Sequence, residues 1–162
     1  MSFKLNVDGI DVQLTINSYR PANRHEDIYD QWCHCDVSFS CENYLSYKLK
    51  SADILLSYEV ENLETALTEL LNGEIKTLKV CRFIEPDFIF VLYPKEDLSS
   101  YPEDECIRSE FDGYDISVEW RVHFWNNWPT DNFLNITLDR DEITALRDYL
   151  TSVINRKRIP KN

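Results

Sequence analysis

A chain of 162 residues is long enough to bury one substantial core, and 43% apolar with 28% charged residues is an ordinary globular composition. Aromatic residues at 13% with only 3 glycines exclude a disordered or low-complexity chain. The formal net charge of -12 opposes binding to nucleic acid, because a polyanion is held by lysine and arginine that displace its condensed counterions; a basic partner suits this chain better.

The N-terminal stretch MSFKLNVDGIDVQLTINS alternates apolar with polar residues, so it has none of the continuous hydrophobic region of a secretory leader. Phe3, Leu5 and Val7 alternate, Asp8-Gly9 marks a tight turn, and Ile10, Val12, Leu14 and Ile16 alternate again: a β-hairpin. Residues 20–31 are polar, contain a proline and read as a surface loop. Alternation resumes at Trp32, with Cys33, Cys35, Val37, Phe39 and Cys41 on one face of a third strand; a fourth is expected over residues 44–50. Leu63, Ala66, Leu67, Leu70 and Leu71 then follow helical spacing, Asn62 can cap the start and Gly73 the end, which predicts a helix over 62–72.

Residues 75–84 and 87–93 read as two strands separated by Glu85-Pro86, the second apolar on both faces and so central in its sheet. Residues 94–112 have two prolines, no period and a dense set of acids, as expected of a long exposed excursion. The clearest alternation follows: Ile116, Val118, Trp120, Val122 and Phe124 share one face, and Ser117, Glu119, Arg121, His123 and Trp125 the other. A turn over 126–131 leads to a paired strand through Leu134, Ile136 and Leu138. A terminal helix follows, with Asp139 and Glu142 at capping-box spacing and Ile143, Leu146, Tyr149, Leu150, Val153 and Ile154 as its stripe. Without regular strand-helix alternation, the order predicts a single-domain α+β fold over 1–162. Its expected form is a largely antiparallel sheet or sandwich of about eight strands with two helices, the second C-terminal.

Five cysteines, an odd number without a disulfide-framework spacing, suit free thiols in a reducing compartment, so the cytoplasm is expected. No uncharged apolar run approaches the roughly 18 residues that cross a bilayer, and no membrane partner is expected. Cys33-His34-Cys35 resembles a metal motif only until it is placed on a strand, where the two thiols point one way and the imidazole the other; buried apolar thiols are the simpler reading. Three scattered glycines build no phosphate loop, His25, His34 and His123 have no nucleophile in a catalytic context, and the PEDE stretch at 102–105 lacks the pattern of a calcium loop. No catalytic residue, metal or cofactor is assigned.

Residues 85–119 hold eleven acids against two bases. Glu96, Asp97, Glu103, Asp104, Glu105, Glu110, Asp112 and Asp115 form the expected contact surface for a basic protein. Arg121, His123 and Trp125, with Trp128 and Phe133 nearby, offer hot-spot residue types if their face is open; the other reading, equally weighted, has a helix lying over it.

The hairpin, the strings DQWCHCDVSFS, ENLETALTELLNG and EPDFIFVLY, and the ending LNITLDRDEITALRDYLTSVI together resemble the WapI-type immunity proteins, small bacterial antitoxins encoded beside contact-dependent polymorphic toxins. The resemblance spans most of the chain and rests on hydrophobic pattern and element order. It implies a non-catalytic cytosolic inhibitor that binds the C-terminal domain of a toxin, often a nuclease. The 94–112 excursion and the cysteine-rich third strand depart from the pattern and leave the toxin-contacting surface open. The competing class is a small-molecule or metal-binding β-rich module using a cavity between sheet and helices, which a ligand-induced rise in melting temperature would reveal. Oligomeric state is not encoded legibly.

Overall fold

In the computed structural model, residues 1–23, 31–95, 115–126 and 128–156 are described, with residues 125, 126, 128 and 129 described by their backbone only. The chain opens with β1 (Phe3–Val7) and β2 (Ile10–Ile16), joined by Asp8 and Gly9, both at positive φ (50° and 84°), as a two-residue hairpin turn requires. β3 (Trp32–Cys41) and β4 (Leu45–Leu56) complete a four-stranded antiparallel sheet in the order β1-β2-β3-β4. After α1 (Ser57–Leu71) come β5 (Lys79–Arg82), β6 (Phe88–Tyr93), β7 (Ser117–Asn126) and β8 (Trp128–Leu138), a second antiparallel sheet in sequence order, and then α2 (Arg140–Arg156). The α+β class, the eight strands and the C-terminal helix agree with the sequence pattern.

The two sheets bury their apolar faces in one continuous cluster that also receives the stripes of both helices. Trp120 of β7 lies at the junction, fully buried. Its ring centroid is 5.4 Å from Phe39 of β3, 5.2 Å from Phe88 and 5.2 Å from Phe90, edge-on to the first two and stacked on the third. At the other end Phe3 of β1 packs on Tyr149 of α2 at 5.9 Å, and the Tyr149 hydroxyl accepts a 2.7 Å hydrogen bond from the buried Ile16 amide.

Four expected boundaries are corrected, the simplest being the turn expected over 126–131: β7 runs to Asn126 and pairing with β8 already begins at Trp128. The first helix begins at Ser57 instead of Asn62, because the Glu59 carboxylate reaches back to accept the Leu56 amide at 2.8 Å and caps the end without a polar residue at the cap position. Asn62 is an exposed interior position, where asparagine costs only about 0.7 kcal/mol against alanine. The fourth strand runs past Lys50 to Leu56: Ser51 adopts φ 48° at an irregularity, its amide bound at 2.8 Å by Asp36, and pairing with β3 then resumes at Ala52. The strand expected over 75–84 shrinks to Lys79–Arg82. Its register places Lys79 opposite Leu92, so Thr77 would meet Pro94, which has no N–H to give.

Tyr149→Phe removes the acceptor of a buried amide while keeping the ring, and is expected to cost about 1–3 kcal/mol, read as a lower urea midpoint with an unchanged slope.

Candidate partner-binding surface

The strand alternation that sends Trp120 and Val122 inward sends Glu119, Arg121 and His123 to the outer face of the second sheet. Register aligns this face in rows: Val80, Val91, Glu119 and Thr137; then Arg82, Ile89, Arg121 and Asn135; then His123 beside Phe133. Both helices bury their stripes with the inward residues, so neither lies over this side. Of this face, Phe133 is 43% exposed and the Arg121 side chain 33%, whereas Val91 is buried.

Arg121 is held in place here. Its Nε donates to Glu119 at 3.0 Å, a second nitrogen donates to the same carboxylate oxygen, and the guanidinium lies 5.4 Å from the centre of the Phe133 ring. The hydrogen bond to Glu119 holds the guanidinium's pKa above its usual value. His123 stands 5.3 Å from the same ring; its Nδ1 is 3.4 Å from the Thr130 carbonyl oxygen, and its buried Nε2 has no hydrogen-bond partner among the described residues. Its backbone amide donates to the Asp87 carbonyl at 2.9 Å. Trp125 belongs to β7 through its pairing with Pro129, but its side chain lies outside the described residues.

Of the eight acids expected to contact a partner, Asp115 alone is described. It accepts two hydrogen bonds from the Arg140 guanidinium, 2.9 and 2.7 Å, tying the residues before β7 to the first turn of α2. That geometry, helped by the Ile116 amide, lowers its pKa to about 2. Glu96, Asp97, Glu103, Asp104, Glu105, Glu110 and Asp112 lie outside the described residues, as do His25 and Cys106.

The Cys33 and Cys35 side chains are fully buried, with burial raising the first thiol's pKa to about 11 and the second's further in the same direction. His34, on the opposite face, is half exposed and pairs with Asp53 at 2.6 Å. Among the described residues no group of three or more His, Cys, Asp or Glu side chains could hold a metal ion, and no helix is long and apolar enough to cross a membrane.

A second surface was not anticipated from sequence. A groove of about 600 Å³ lies between α1 and β5, walled by Tyr58, Asn62, Thr65 and Glu69 on the helix and by residues 79–84 on the strand side. Glu59, 3% exposed with its pKa raised by burial, anchors one end by accepting the Ile84 amide at 2.7 Å. The Lys79–Glu69 ion pair, 2.7 Å, closes the other. The only sequence signal was the apolar alternation of Leu78, Val80 and Ile84, which leaves all three substantially exposed.

Together these features define an acidic α+β protein built from two four-stranded antiparallel sheets and two helices. Residues 3–157 match the immunity protein WapI-like family, and the chain belongs to that family. It is thus an immunity protein, a class whose partner is a cognate toxin. No curated protein and no solved structure matches it.

Asp115→Asn is expected to flatten the acid limb of the stability curve. A carboxyl whose folded pKa is lowered adds stability above its unfolded value near 3.8, and that stability is lost as pH falls toward about 2. The wild type minus variant difference in melting temperature should therefore shrink between about pH 4 and 2.

Proposed function

We infer that this chain neutralises its toxin without catalysis, by binding the toxin's C-terminal domain through an acidic surface and occluding its active site. The observation that carries the reading is the family match over residues 3–157, joined by the concentration of eleven acids against two bases in residues 85–119. The expected contact residues are Glu96, Asp97, Glu103, Asp104, Glu105, Glu110 and Asp112. Arg121, His123 and Trp125 of β7 are further expected contacts. Asp115 contributes charge but is already engaged by Arg140, so its replacement would mix stability with binding.

A basic toxin domain fits a chain of net charge -12, and a nuclease is a toxin whose own task requires a basic surface. An acidic inhibitor then occupies the place of the nucleic acid and meets its target quickly through long-range attraction. Arg121, buttressed by Glu119 and Phe133, has the composition and rigidity of an interface anchor. The cytoplasm is the compartment in which such an inhibitor would protect the cell, and the buried thiols suit it.

The test is co-expression with the toxin domain encoded immediately upstream, followed by binding kinetics on the purified pair. Survival with a stoichiometric complex, and an association rate that falls steeply with salt, is the expected result; cell death without binding would sink the reading. Reversing Glu96, Asp97, Glu103 and Glu105 to lysine should slow association by about tenfold or more at low salt. An unchanged rate would move the contact surface elsewhere.

A further inference from the structure

The groove beside β5 has a geometry the acidic surface does not use. Successive residues of a strand point to opposite faces, so a groove touching all four residues of β5 must run along the strand's edge. Among the described residues that edge is unpaired, since β5 is the outermost strand of its sheet and pairs there with β6 alone. Helix and strand run antiparallel along the groove: Glu59 meets Ile84 and Glu69 meets Lys79. The ten helical steps span about 15 Å, and the three extended steps of β5 cover about 10 Å of that length before the bend at Ile84.

Apolar surface flanks the edge on both sides. Toward α1 lie Cys81, Phe83, Leu63 and Ala66; on the outer side Val80 and Ile84 are 40% and 41% exposed. A strand laid beside β5 would complete main-chain hydrogen bonds and bury alternate side chains on each side, the physics of β-strand addition.

We propose that the β5 edge receives an extended strand of the toxin domain, of about five residues with aliphatic side chains at alternate positions, extending the second sheet to five strands. This deepens the toxin-binding reading and rests on it. A second copy of this chain is disfavoured by charge. Self-pairing would bring together two molecules each of net charge -12. A basic toxin domain is attracted by that same charge.

The experiment is amide hydrogen exchange on the full chain, alone and with the toxin domain encoded beside it. Slowing of the outward amides in 79–82 by about tenfold or more in the complex, and a Kd weakened by about tenfold or more in the double variant Val80→Asp, Ile84→Asp with its melting temperature kept, is the expected result. A stable complex with unchanged exchange at these amides and unchanged Kd in the variant would overturn the inference and leave the immunity reading standing. Failure to form any complex would remove both. Protection of the same amides in the chain alone, rising with its concentration, would assign the edge to self-association and overturn the proposal.

Discussion

The two sheets share no strand, so their mutual position depends on side-chain packing across the core, and the aromatic group around Trp120 does most of that fixing. Phe39 comes from the first sheet, and Phe88 and Phe90 from the second; edge-on and stacked contacts at about 5 Å leave few alternative ways to nest four rings. Because Trp120 faces inward, the alternation of β7 forces Arg121 and Glu119 outward, and register then carries the outward set to Phe133 and Ile89. The exposed face is a consequence of how the core is filled.

Glu59 performs the corresponding task for the groove. Its two carboxylate oxygens accept the Leu56 and Ile84 amides, so one side chain both starts α1 and holds the turn after β5 against it. Burial raises its pKa, whereas the two amide hydrogen bonds favour its charged form. Loss of those bonds would release the helix start and the strand end together. Tyr149 plays a comparable part at the opposite end, joining α2 to β2 across 133 positions of sequence.

Much of this was legible in the sequence wherever a local rule governs. Asp8-Gly9 supplies the positive φ of a hairpin turn, the period of two from Ile116 onward sets the faces of β7, and Asp139 and Glu142 form the reciprocal cap of α2, with hydrogen bonds of 2.9 Å in both directions. Three of the misread boundaries share one cause: each is set by a contact with another residue and not by the residue at the boundary. The α1 start depends on a carboxylate inside the helix, β4 continues because Asp36 of another strand supports Ser51, and β5 stops where its partner reaches a proline. The Arg121, His123 and Phe133 face followed from alternation, but its exposure needed the helices to be placed. The groove was invisible because neither wall has a motif; only the adjacency of α1 and β5 creates it.

Charge and shape divide the proposed task between them. At physiological salt a charge is felt over about 8 Å, so in the proposed complex the acids of residues 85–119 would act mainly on encounter and orientation, with an effect that fades as salt rises. Holding a partner is a matter of dissociation, which depends on desolvated contacts such as the Arg121–Phe133 pair and the apolar flanks of the β5 edge. An inhibitor that must silence a toxin inside the cell making it needs fast capture and slow release. In the proposed complex, the acidic charge would serve the first, and the Arg121–Phe133 pair with the β5 edge, unpaired among the described residues, the second.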